Sequence, residues 1–273
     1  DGRLRDVWVL AEDDSEVVVP STARFVGVPI ERGGDVQSRV ADNLYWLGRY
    51  VERAEGLTRL LRGVLVRLTE TTGLAEALEM PTLLRAVPFM SDCFPGFVGD
   101  GAELHLPAPE DELSAVIHET QRAGSLASTV NMLWQLAATV RDRISNDMWR
   151  VLGDLSSLRG DQRFAVSDGP CYDTPSVPRT LSDELDLLDR VVITLAAFGG
   201  LAVESMTRSA GWRFLDMGRK LERAAHTIKL LRSTLSTVSN PEGPLLEAVL
   251  QVADSSMTYR RRYFAEPQRS PVM

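Results

Sequence analysis

The chain has 273 residues, 30 Lys and Arg against 38 Asp and Glu, and a formal net charge of −8 with a pI near 5.1. That acidic balance argues against general nucleic-acid binding, which needs a basic face, but leaves room for a local basic pocket. The length admits one large domain or two small ones, with a core that buries about three-quarters of the unfolded surface without disulfide or metal staples. Gly and Pro, 20 and 14, hold an average share and exclude a low-complexity chain. Cys93 and Cys171 lie far apart, in neither a disulfide framework nor a metal-ligand spacing, so a reduced, cytoplasmic setting is the simplest reading. The longest apolar run, Val191 to Val203, is too short to cross a bilayer, and no signal peptide opens the chain. A first residue of Asp1 instead of Met reads as a piece of a longer protein.

Residues 1–36 stand apart. The β-prone runs Val7-Trp8-Val9-Leu10 and Val17-Val18-Val19 flank a polar Asp13-Asp14-Ser15 turn, and Pro20, Pro29 and Gly33-Gly34 follow. This predicts a short β-hairpin and a linker. From Ser38 the period becomes helical. Val40, Leu44, Leu47, Val51, Ala54, Thr58, Leu61, Leu65 and Leu68 step by four and three alternately, with Ser38 as N-cap and Gly73 as stop. Trp46, Tyr50, Leu57 and Leu60 add a second apolar strip, and a helix apolar over so wide an arc belongs at the centre of a bundle. Next come a short helix over 82–87, a loop over 94–111, and helices over 111–122, 125–144 and 146–158, the last capped by Ser145 or Asn146. A loop over 159–180, rich in Gly and Pro, precedes helices over 181–208, 212–238 and 244–264. The turn Asn240-Pro241-Glu242-Gly243 separates the last two. The predicted fold class is all-α, a helical bundle behind a β-hairpin extension.

One pattern occurs twice. Leu47-Gly48-Arg49-Tyr50-Val51-Glu52-Arg53-Ala54 returns 170 positions later as Met217-Gly218-Arg219-Lys220-Leu221-Glu222-Arg223-Ala224. The same offset carries the whole apolar strip onto Ala210, Phe214, Met217, Leu221, Ala224, Ile228, Leu231, Leu235 and Val238, and Leu60-Leu61-Arg62 onto Leu230-Leu231-Arg232. The two helices read as equivalent elements of a duplicated bundle. Glycine inside a helix costs about 1 kcal/mol relative to alanine, so Gly48 and Gly218 at equivalent places predict a close backbone approach. Each copy also offers two guanidinium forks and a carboxylate within one turn: Arg49, Glu52 and Arg53, then Arg219, Glu222 and Arg223. Arg forks suit capture of a carboxylate or phosphate; the plainer reading is an ion-pair network that fixes helix register.

Two further clusters follow. Arg141, Asp142 and Arg143 join two helices and, with Asp254, are candidates for a structural polar network. Tyr259-Arg260-Arg261-Arg262-Tyr263 makes a positive patch that reads either as an anion site or as a helix end whose cations complement the dipole. His105, His118 and His226 are scattered, and a satisfied core or surface role is expected of each, with His226 one turn from Glu222. No phosphate-binding Gly-rich loop, nucleophile elbow or metal motif is present.

The run from Ser38 to Glu55, together with Arg141-Asp142-Arg143, Trp212-Arg213-Phe214-Leu215, the second Gly-Arg-x-x-Glu-Arg and Asp254 through Tyr263, resembles the alpha-E family. That family is an all-helical bacterial domain named for its Glu-Arg motif. The resemblance covers about 37–270 and divides the chain into an extension, 1–36, and an alpha-E domain, 37–273. It implies association or fusion with a circularly permuted ATP-grasp ligase, with a transglutaminase-like protein as a frequent neighbour, in carboxylate–amine ligation of peptides. Residues 1–36 are similar to the tail of the ATP-grasp module. Members usually continue past Ser270-Pro271-Val272 into further helix, so the domain reads as C-terminally truncated.

The leading expectation is an accessory or partner domain of such a ligase. Arg49, Arg53, Arg219, Arg223, Tyr259, Arg260 and Arg262 would bind an anionic or peptide group around a polar centre. No cofactor or metal is expected in the domain itself, ATP and Mg²⁺ belonging to the ligase module, and neither nucleic acid nor membrane is expected as a partner. In the first alternative Glu52 or Glu222 is a catalytic base acting on a peptide amine or carboxylate. In the second the bundle is purely structural and forms a homodimer.

Overall fold

The computed structural model describes residues 36–70, 78–159, 180–236 and 242–273. Among these there are helices α1 Ser38–Glu70, α2 Met80–Ser91, α3 Asp100–His105, α4 Glu110–His118, α5 Leu126–Thr139 and α6 Asn146–Gly153, then α7 Leu181–Ser205, α8 Ala210–Leu235, α9 Gly243–Val252, α10 Ser256–Tyr263 and α11 Arg269–Val272. Single 3-10 turns occupy Arg141–Arg143 and Asp154–Arg159. There is no strand among the described residues, in accord with the all-α expectation. The predicted hairpin, the Gly73 stop, most of the 159–180 loop and Asn240-Pro241 lie outside the described residues. No helix of the described residues is long and apolar enough to cross a membrane.

The apolar period of α1 sets the architecture. Leu44, Leu47, Val51, Ala54, Leu57, Leu60, Leu61, Val64 and Leu65 are buried over a wide arc of the helix, which lies at the centre of Val36–Met273. Helices α5 and α7 cover part of its circumference, α2 and α9 another part, and α8 lies along it. Ser125 caps α5 by accepting from Ser128 N–H at 3.0 Å, and Ser145 caps α6 by accepting from Met148 N–H at 3.2 Å. Thr180 and Asp183 form a reciprocal capping box at α7. The Trp134 and Trp149 rings, 4.3 Å apart, join α5 to α6.

Some boundaries differ from expectation. Helix α1 begins at Ser38 itself, so Ser38 is not the cap. The stretch 94–111, expected as loop, contains α3, whose first turn carries Asp100 and Glu103. Helix α2 spans more than the expected 82–87, because Pro81 sits in its first turn, where a missing N–H costs nothing, and Pro88 is accommodated inside. The helix expected over 244–264 is broken in two: Asp254 adopts φ 54° between α9 and α10, a left-handed conformation that ends a helix.

Candidate functional site

Helices α1 and α8 run in the same direction, since Gly48 meets Leu215 while Gly56, two turns on, meets His226. Their contact is reciprocal. The backbone carbonyl of Leu215 lies over Gly48, and the carbonyl of Tyr45, the residue at the equivalent place in α1, lies over Gly218. A methyl group at either glycine would overlap that carbonyl oxygen, so the backbones can approach only because both positions lack Cβ. This is the close approach that the glycines predicted.

The approach brings the two Glu-Arg motifs together as crossed pairs. Arg53 Nε donates to Glu222 Oε1 at 2.8 Å, and Arg49 Nε donates to Glu222 Oε2. In mirror fashion Arg219 Nε donates to Glu52 Oε1 at 2.8 Å, and Arg223 donates through Nε and Nη2 to both oxygens of Glu52 at 2.9 Å. Each helix therefore supplies the carboxylate for the other helix's arginines. Both carboxylates are buried. The Arg49 guanidinium also lies 5.3 Å over the Trp46 ring and that of Arg53 5.1 Å over Tyr50. Burial pushes the Glu222 carboxyl up, but the hydrogen bonds from Arg53 and Arg49 outweigh it, and its pKa is held below the usual carboxylate value. Bonding to Glu52 raises the pKa of Arg223.

At one end this double clasp opens into a cavity of about 440 Å³, lined by Glu52, Glu55, Arg59, Arg223, His226 and Asp254 among others. Arg59 pairs with Glu55 at 2.9 Å and with Asp254 at 3.1 Å. His226 breaks the symmetry. Its equivalent in α1 is Gly56, and the imidazole occupies the space that a Gly56 side chain would need. Both ring nitrogens are buried with no hydrogen-bond partner, and Nε2 stands 3.7 Å from Glu222 Oε1. The expectation of a satisfied histidine is thus corrected at His226. His118 is bonded, its Nε2 lying 2.7 Å from Glu184 Oε2. Applying the repeat offset to His226 lands on Gly56, a signal in the sequence that sequence reasoning missed.

Desolvation by burial pushes the pKa of His226 down to about 4, against the pull of Glu222. The ring is therefore neutral at pH 7, and its protonation favours the unfolded chain. The stability this contributes is present above the unfolded value of 6.5 and is lost as pH falls from there towards 4. The loss should reach about 3 kcal/mol at pH 4, with Glu222 adding to it at lower pH as its carboxylate protonates. Urea denaturation of His226→Leu as a function of pH checks this. The variant should lose about 3 kcal/mol less between pH 6.5 and 4 than the parent; equal acid sensitivity would remove His226 as the cause.

Of the remaining sequence candidates, Asp254 alone reaches this cavity among the described residues; the others lie elsewhere. Asp142 and Arg143 pair with each other at 2.9 Å on the surface, and Arg141 lies 5.3 Å over Trp149 and bonds Asn146 and Ile144. Asp254 stands at the cavity rim on Arg59, so the four do not form one network. Tyr259 is buried, its hydroxyl donating to Glu266 O at 3.2 Å and accepting from Gln268 N–H at 3.0 Å. Arg260 pairs with Glu247 at 3.0 Å, and Arg262 stacks on Tyr263 at 5.6 Å. Tyr259 and Arg260 border a separate cavity of about 470 Å³. No group of His, Cys, Asp or Glu that could hold a metal occurs among the described residues.

Residues 36–273 match the model of a family described as a predicted alpha-helical domain with a conserved ER motif, Alpha-E. The chain belongs to the Alpha-E family. Within those residues the Glu-Arg dipeptide occurs at Glu52-Arg53 and Glu222-Arg223, both in the double clasp. Among curated proteins, the Alpha-E chain is 30% identical over 274 residues to uncharacterized proteins of Mycobacterium bovis and of two strains of Mycobacterium tuberculosis. The match covers 94% of this chain, which spans about 30% of the length of those relatives. No solved structure matches it.

Proposed function

We propose that this Alpha-E domain is the accessory module of an ATP-grasp carboxylate–amine ligase that makes or modifies peptides in the cytoplasm. The cavity beside the clasp receives the polar end of the peptide. The observation that carries this reading is the meeting, at one opening, of Arg223, whose side chain is 63% exposed, with the exposed carboxylate of Asp254. An exposed guanidinium suits a carboxylate, while an exposed aspartate suits an amine, and ligation joins those two groups. The partnership is what the alpha-E resemblance implies, and the chain spans about 30% of the length of its curated relatives, which leaves room in them for such a module. ATP and Mg²⁺ belong to the ligase module, and a transglutaminase-like protein is a further partner.

Catalysis by Glu52 or Glu222 fits less well. A carboxylate saturated by two guanidiniums, with its pKa held down as at Glu222, is a weak base. The crossed pairing favours a second, structural role for the motif, locking α1 to α8. Mass spectrometry of products from the ligase module, with this domain added and omitted, tests the proposal. Product should fall when the domain is omitted, and should fall again with Arg223→Ala, whose circular dichroism should match the parent. Unchanged products in both arms would overturn it.

A further inference from the structure

The duplication makes a demand that only one of its halves meets. In α1, Leu47, Val51 and Thr58 are 0% exposed, in a helix covered by α5 and α7. Their equivalents in α8, Met217, Leu221 and Ile228, are 47%, 47% and 56% exposed. Ala224 between them is exposed as well, where Ala54 is buried. These residues lie at helical spacing on one face, and among the described residues α8 has no helix standing to it as α5 and α7 stand to α1. The strip ends in a cavity of about 430 Å³ lined by Phe89, Phe94, Ile228, Lys229, Arg232 and Ser233. The Phe89 and Phe94 rings there meet edge to face and are both exposed.

Charge says what kind of helix is missing. Arg62 of α1 pairs with Asp189 of α7 at 3.0 Å. Its equivalent in α8 is Arg232, which is exposed and has no ion pair or hydrogen bond among the described residues. Arg213, near the start of α8, is likewise exposed and unpaired among the described residues. The α1 half thus displays the solution that the α8 half lacks: an amphipathic helix whose apolar face covers the strip and whose carboxylate reaches the arginine.

We infer that the exposed face of α8 docks a helix of a partner protein, amphipathic and acidic in the manner of α7. Recognition rests on Met217, Leu221 and Ile228 for apolar contact, the Phe89–Phe94 cavity for an anchoring side chain, and Arg232 for a carboxylate. This is independent of any role of the clasp cavity, to which none of these residues contributes.

The probe is a labelled synthetic peptide of residues 181–205, the helix that the repeat equates with the missing one. Fluorescence anisotropy against the full 273-residue chain should show saturable binding. Leu221→Glu and Ile228→Glu lie on exposed positions and should each weaken it by about tenfold or more. Arg232→Asp should weaken the parent peptide and restore binding of a peptide carrying Asp189→Arg. Absence of binding, or binding indifferent to these variants, would overturn the inference. So would a chain that sediments as a dimer and becomes monomeric with Leu221→Glu, because the face would then belong to a second copy.

Discussion

Glu222→Ala should lower the unfolding free energy by about 3–5 kcal/mol, the range for removing one partner of a buried ion pair. The carboxylate accepts from both Arg49 and Arg53, and neither arginine side chain is more than about a quarter exposed. Without Glu222, two guanidiniums remain beside each other with poor access to water. Glu52→Ala should cost less. One of its two partners, Arg223, is 63% exposed and can turn into solvent, whereas Arg219 cannot. Urea denaturation at pH 7 with a shared slope resolves the difference. Equal losses would show that exposure of the arginines does not control the cost. Losses under about 1 kcal/mol, the value of a surface pair, would show that the clasp is peripheral to stability.

The second large effect comes from adding a single carbon. Gly48→Ala and Gly218→Ala each place a methyl group against a backbone carbonyl oxygen that no side-chain rotation can move. Helices α1 and α8 must separate locally, so each variant should lose about 1–3 kcal/mol or more, despite the better helix propensity of alanine. Thermal midpoints should fall by roughly 2–4 °C for each kcal/mol in a domain of this size. Gly200 supplies the control: it lies inside α7, exposed, with nothing near its missing Cβ. Gly200→Ala should leave the domain unchanged or stabilise it by up to about 1 kcal/mol. A Gly48→Ala variant as stable as Gly200→Ala would mean that the backbones need not touch.

Much of this was legible in the sequence, and the rest was not for definable reasons. The four-three period of α1 placed its buried residues correctly, because neighbouring helices cover that apolar arc. The same period in α8 identified an apolar face without saying that Met217, Leu221 and Ile228 lack a cover, since periodicity does not count neighbours. The repeat located both glycines and all six charged residues of the clasp. Spacing put the charges within a turn without showing their partners; each arginine bonds across to the other helix, and the close backbone approach makes that geometry reachable. Asp254 gave no warning of its left-handed conformation, because neither Gly nor Pro marks the break between α9 and α10. The arginines of the Tyr259-Arg260-Arg261-Arg262-Tyr263 patch stand in the last turn of α10, where cations complement the helix dipole.

The crossed pairing also bears on how the domain comes to exist during synthesis. Arg49, Glu52 and Arg53 are made early, but each finds its partner 170 or so residues later. At ordinary elongation rates that interval is on the order of ten seconds or more. Throughout it the central helix carries an unmatched carboxylate and two unmatched arginines on a face that has no helix to lie against. The nascent first half can pack α1 on α2 and α5, but that face stays uncovered until α8 arrives. Association of α1 with α8 is a long-range event, and closing so long a loop is the kind of step that slows folding even where local helices form fast.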